Sequence, residues 1–206
     1  MITGISLAIE GPIDRAAASR ILSTRNLPLN RNQVFITGGK EKLGAKIAAY
    51  NKAARHVPWL ILRDLDRDAS GCAAKLRQLL LEPSVQAEKM CLRIAVRSLE
   101  AWLLADSSAI ARYFKVPEAK VPSNPEDLSN PKLELVNLCR RSRSADIRRA
   151  MVPPASSRWQ VGPEYTARLV DFCTSHWDPE SARMTAQSLN RALVEIDGLV
   201  ARGAWR

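Results

Sequence analysis

Short apolar runs alternate with amphipathic stretches through the first half of the chain. The runs lie in GISLAIEG (4–11), QVFITGG (33–39), PWLILRD (58–64) and CLRIAVRS (91–98). Each has strand length and ends in charged, turn-forming or small residues. The stretches between them read as helices. PIDRAAASRILSTRN (12–26) has Pro12 suited to a first turn and places Ala17, Ile21 and Leu22 on one face. KEKLGAKIAAYNKAARH (40–56) carries Leu43, Ile47 and Tyr50 or Ala54 on a stripe, and GCAAKLRQLLLE (71–82) follows the third strand. LEAWLLADSSAIARYF (99–114) reads as one helix after the fourth strand. Strands alternating with single helices predict an α/β fold with a mostly parallel four-stranded sheet flanked by helices.

The pattern changes after about residue 116. Residues 117–132 hold four of the twelve prolines and read as a linker or long loop. Beyond them, 133–206 read as a helical extension packed on the core, with helices in KLELVNLCRRSRSADIRRAM, PEYTARLVDFCTSHW and DPESARMTAQSLNRALVEIDGLVARG. In the last, Asp178 is the expected N-cap, with Pro179 in the first turn. There is no internal repeat and no low-complexity tract.

Parallel sheets gather functional residues beyond the carboxyl ends of their strands. Acids stand at those ends here. Glu10 follows the first strand, Asp64, Asp66 and Asp68 follow the third, and Glu100 lies just after the fourth. Alternate positions of an extended chain point the same way, so Asp64 and Asp66 are expected on one face, with Asp68 joining if the extension persists. Clustered carboxylates repel one another unless a cation sits among them, and hard oxygen donors suit Mg²⁺ or Mn²⁺. The plainer alternative is a solvated loop that caps the next helix. Glu100 reads equally as a metal ligand or as an ordinary helix acid paired with Arg97.

Charge adds a partner. Thirty-one Lys and Arg against twenty-one Asp and Glu give a formal +10, which favours nucleic acid. Lys40, Lys42 and Lys46 fit phosphate contacts at a helix start, or equally a solvated helix. GGKEKLGAK is no P-loop, because Ala45-Lys46 follows Gly44 where Lys-Ser or Lys-Thr is needed. Arg140, Arg141, Arg143, Arg148 and Arg149 form a dense basic segment that could track a phosphate backbone or simply be solvated. The five tryptophans are scattered and read as core residues. Two histidines far apart exclude a histidine-rich metal site, and four separated cysteines argue against a zinc ribbon or disulfide framework. No membrane-spanning run and no signal peptide are evident, so a cytoplasmic protein is expected.

A strand ending in Glu10-Gly11, then helix, strand, helix, and a strand ending in Asp64-Leu65-Asp66 resembles the Toprim arrangement. Topoisomerases, bacterial primases, small recombination factors, maturation ribonucleases and OLD-type nucleases share it. GGKEKLGAKIAAYNKAA, VRSLEAWLLAD, GPEYTARLVDF and SLNRAL bring the chain nearer to small stand-alone Toprim-type proteins of bacterial defence loci, often encoded beside an ABC- or SMC-like ATPase. The resemblance implies that Glu10, Asp64 and Asp66 hold Mg²⁺ or Mn²⁺, with Asp14 matching an acid that OLD-type nucleases use at a second metal. It implies an antiphage nuclease acting on DNA or RNA. The alternative is a non-catalytic Toprim-fold partner or regulatory module of the ATPase.

Overall fold

The computed structural model describes residues 4–205. Met1, Ile2 and Thr3, where a leader would begin, lie outside them. The strands are β1 (Ile5–Ile9), β2 (Leu29–Ile36), β3 (Trp59–Asp64) and β4 (Met90–Ala95). They form one sheet in the order β2-β1-β3-β4, and every pairing is parallel. Between β1 and β2 runs α1 (Pro12–Thr24); α2 (Lys40–Gly44) and α3 (Ile47–Ala53) precede β3, and α4 (Ala73–Leu81) precedes β4. Then come α5 (Leu99–Leu104), α6 (Ser107–Phe114), α7 (Pro131–Arg140), α8 (Ala145–Met151), α9 (Tyr165–Ser175), α10 (Pro179–Ala182) and α11 (Gln187–Ala201). The expected α/β architecture is therefore the observed one.

The two-residue period of the strands divides the core. Ile5, Leu7, Ile9, Leu60, Leu62 and Cys91 face one side, where they meet α1, α5, α6 and the C-terminal helices in one continuous apolar cluster. Ala8, Trp59, Ile61, Met90, Leu92 and Ile94 face the other and meet α2, α3 and α4. Residues 117–132 cross the molecule with two short 3₁₀ turns, and Val121 and Pro125 are buried.

Four expected helices are each broken in two, for local reasons. Gly44 weakens the second, and the Lys46 N–H reaches back to the Leu43 carbonyl in a tight turn. Asp106 ends α5 and caps α6, accepting from the Ala109 N–H at 3.2 Å. Ser144 caps α8, while Ser142 donates to the Phe114 carbonyl at 2.6 Å. Asp178 caps only the short α10, and α11 starts afresh at Gln187. β2 begins at Leu29, four residues earlier than its apolar run suggests, because it is an edge strand with half its residues in water. Four tryptophans are core residues, but Trp159 is 77% exposed, so that expectation fails for it.

Ser188, at the start of α11, fastens several elements. Its hydroxyl accepts from the Val96 N–H at 3.0 Å and the Trp102 indole at 2.7 Å, and donates to Glu126. Ser188→Ala strands those buried donors and should cost about 2–3 kcal/mol in chemical unfolding. A change below about 0.5 kcal/mol would show that the junction is not structural.

Candidate metal centre

Topology brings two of the acids together. β1 and β3 are neighbours, and the strand order switches direction there, the usual crevice of an open parallel sheet. Ala8 pairs with Ile61, so Glu10 leaves β1 level with the end of β3. There one Glu10 oxygen accepts from the Asp64 N–H at 3.1 Å. Asp64 pairs with Ala95 of β4. Its Oδ1 accepts from the Leu99 N–H at 2.9 Å, which ties it to the start of α5.

Two further acids close on the same place. Gly11 caps α1, and its N–H donates to Asp14 Oδ2 at 2.9 Å, which turns that carboxylate back toward the end of β1. Glu100, only 4% exposed, accepts from the Ser98 hydroxyl at 2.7 Å and the Tyr165 hydroxyl at 3.0 Å. Lys132 Nζ stands 3.6 Å from Glu100, so the helix acid pairs with Lys132 and not with Arg97. Glu10, Asp14, Asp64, Glu100, Lys132 and Thr166 line one cleft of about 240 Å³.

Asp66 and Asp68 leave the acid cleft, although Asp66 shares the neighbouring cavity with Asp64 and its charge still raises the Glu10 and Asp64 carboxyls. β3 stops at Asp64, Leu65 is buried, and Asp66 has φ of 50°, so the chain turns before alternation can carry Asp66 alongside Asp64. Lys40 bridges Asp66 at 3.1 Å and Asp68 at 2.9 Å, and Arg63 holds Asp68 at 2.8 Å. The shared-face argument for three aspartates thus fails, because it needs extended backbone where the structure has a turn. A second cavity, about 370 Å³, is lined by Lys40, Asp66, Arg67 and Arg97 and shares Asp64 and Lys132 with the acid cleft.

The two acid groups differ electrostatically. Burial, then the charges of Asp14, Glu100 and Glu10, push the Asp64 carboxyl well above the ordinary carboxylate range. Burial and the Glu10 charge push Asp14 up to about 7, and burial raises Glu10. For Asp68, hydrogen bonds from Lys40 and Arg63 outweigh burial and hold the carboxyl below its usual value. Glu10, Asp14 and Asp64 have no ion-pair partner among the described residues.

Unpaired, mutually repelling carboxylates are a hard-oxygen donor set that a divalent cation would relieve, so their chemistry fits Mg²⁺ or Mn²⁺. As they stand, no three His, Cys, Asp or Glu side chains among the described residues are grouped so as to hold an ion. Glu10 and Asp64 each accept one backbone N–H, which occupies only part of each carboxylate's acceptor capacity.

Several residues at the site escaped the sequence reading. Lys132, Tyr165 and Thr166 arrive from the C-terminal helices, and nothing local in their sequence marks them. Arg63 did carry a signal, being a basic residue between the apolar run of β3 and Asp64. Lys42 and Lys46 are exposed, and so are Arg140, Arg141, Arg143, Arg148 and Arg149. Arg140 ends the helix whose first turn holds Lys132, about 12 Å further along its axis. None of these five arginines lines the acid cleft or the cavity beside it.

No helix among the described residues is long and apolar enough to cross a membrane. The four cysteines are free, with Cys72 exposed and the others buried. No family model matches the chain, and no curated protein matches it. Among solved structures, it is similar to the C-terminal region of the Burkholderia pseudomallei OLD protein, at 17% identity and a TM-score of 0.45, over 94% of this chain and 99% of that one.

Proposed function

We propose that the protein is a divalent-metal-dependent nuclease that hydrolyses phosphodiester bonds in DNA or RNA. The observation that carries this reading is the convergence of Glu10, Asp14, Asp64 and Glu100 on one cleft at the β1/β3 crevice, with Lys40, Arg67 and Arg97 lining the adjoining cavity. Glu10 and Asp64 are the first candidates to hold Mg²⁺ or Mn²⁺, with Asp14 and Glu100 next to them. Bound there, such an ion supplies Lewis-acid polarisation of the phosphodiester and charge stabilisation of the leaving oxygen. Lys132 offsets the charge of Glu100, and the basic segment of Arg140, Arg141, Arg143, Arg148 and Arg149 positions the backbone without reading its sequence. Asp66 joins the set only if it leaves Lys40.

The test is Mg²⁺- and Mn²⁺-dependent cleavage of plasmid DNA, tRNA and total RNA, with and without a co-encoded ATPase. Action as an antiphage effector beside an ABC- or SMC-like ATPase, in the cytoplasm, belongs to the same proposal and is supported by the sequence resemblance. The second reading is a non-catalytic partner or regulatory module of that ATPase. What favours it is the resting state of the acids, with Asp66 and Asp68 held by Lys40 and no three donors grouped for an ion among the described residues. Absence of cleavage under every condition, with partner binding retained, would establish it.

The arginine segment has its own test. Replacing Arg140, Arg141, Arg143, Arg148 and Arg149 together by Ala should weaken oligonucleotide binding and flatten its salt dependence between about 50 and 200 mM. Each lost phosphate contact should lower the slope of log K against log salt by roughly 0.7–0.9. An unchanged slope would place the nucleic-acid path elsewhere.

A further inference from the structure

We propose that the exposed Trp159 and the apolar pocket beside it receive an unstacked nucleobase, making single-stranded DNA or RNA the substrate class. This rests on the nuclease reading above and extends it.

Trp159 departs from the other tryptophans. It is 77% exposed, whereas Trp59, Trp102, Trp177 and Trp205 are buried. It stands in the loop between α8 and α9, on the rim of a cavity of about 660 Å³ that Pro154, Val161 and Pro163 also line. That volume falls in the usual range for a small-molecule group, and among the described residues no acidic side chain lines it. The loop is fastened at its base. The Gly162 N–H donates to the Met151 carbonyl at 2.9 Å, and a Cβ at Gly162 would lie 2.4 Å from the Ala150 carbonyl oxygen. The Trp159 N–H donates to the Ser157 hydroxyl at 3.0 Å. The indole is therefore presented from a tethered loop.

The pocket adjoins the acid cleft. Thr166 is a wall of both, and Tyr165, next to it, lines the pocket while its hydroxyl holds Glu100. The acid cleft in turn shares Asp64 and Lys132 with the net-positive cavity of Lys40, Asp66, Arg67 and Arg97. Three cavities thus adjoin: one of mixed charge with a basic excess, one acidic, and one apolar and aromatic. That arrangement suits a strand whose phosphates cross the first two and whose next base turns into the third. Arg158 beside Trp159 and the formal +10 of the chain favour a polyanion over an apolar peptide there. Aromatic faces accept any base, whereas a duplex keeps its bases stacked inside. Only an unpaired or extruded base can reach the indole.

The test uses the full chain in EDTA, so that binding is read without cleavage. Wild type, Trp159→Ala and Trp159→Phe are titrated with a single-stranded DNA, a single-stranded RNA and the corresponding duplexes. Wild type should bind single strands more tightly than duplex, with quenching of indole fluorescence that is lost in Trp159→Phe. Trp159→Ala should weaken single-strand binding roughly 5- to 100-fold, and Trp159→Phe should recover part of it. Thermal unfolding should be unchanged, since the side chain is in water. Single-strand affinity unaltered in Trp159→Ala overturns the proposal and leaves the pocket to a protein partner. A Trp159 effect in a wild type that cleaves nothing upholds the stacking pocket and sinks the nuclease reading; cleavage with no Trp159 effect does the reverse.

Discussion

Asp64→Asn combined with Glu10→Gln should abolish Mg²⁺- or Mn²⁺-dependent cleavage, with a loss of at least about 100-fold, or ~2.7 kcal/mol of transition-state stabilisation. The amides are the informative choice. Asn at 64 still accepts from the Leu99 N–H, and Gln at 10 still accepts from the Asp64 N–H, so both backbone donors stay satisfied. What disappears is negative charge in a cleft where the carboxyls already repel one another. The metal-free double variant should therefore unfold at the same temperature as wild type or higher. A structural role for the pair predicts the opposite, with lower stability and unchanged cleavage. The paired measurement is cleavage and thermal unfolding on the same preparations. Cleavage that survives both substitutions ends the nuclease reading at this site.

The metal-free protein should lose stability as pH rises from about 4 to about 7. Asp14, Asp64 and Glu10 have folded-state values raised above those of an unfolded chain, Asp14 to about 7. Between the two values the folded state binds protons that the unfolded state has released. Stability from these groups is then fully present below the unfolded value and is lost as pH rises through the folded one. For Asp14 alone the upper bound is ~4 kcal/mol. Asp68 and Glu180, whose carboxyls are lowered by basic partners despite burial, act in the opposite sense, and only as pH falls below about 4. Asp14→Asn should flatten the profile. Mg²⁺ or Mn²⁺ at about 100 times its Kd should restore ~2.7 kcal/mol above pH 7, where the carboxylates are ionised. The check is thermal or urea unfolding from pH 4.5 to 8, in EDTA and with each metal. Wild-type stability that climbs through that window in EDTA would contradict the electrostatics assigned to the cleft.

The alternation of apolar runs and amphipathic stretches was enough to read the α/β class and its four strands, because strand and helix periods are local properties of the chain. Glu10 and Asp64 were legible for the same reason: each terminates a core strand, and parallel neighbours must end at the same edge of the sheet. Pairing followed local pattern least well where local competitors intervene. Asp106, Ser144 and Asp178 cap new helices inside runs that read as continuous, because their side chains bond to nearby backbone N–H groups. Asp66 and Asp68 obeyed alternation on paper. A left-handed residue at 66 and the reach of Lys40 and Arg63 turned them away. Lys132, Tyr165, Thr166 and Trp159 come from segments more than thirty residues beyond Glu100, and no spacing rule links them to the acids. Which side chains meet across such distances depends on how helices pack on the sheet. Local composition thus decides where the strands end in acids, and three-dimensional packing decides that Glu100 and Asp14 join the cleft, that Asp66 and Asp68 leave it, and that an indole stands beside it. The physical reason is range: backbone propensity acts over a few residues, whereas burial and charge act between any groups that the folded core brings together.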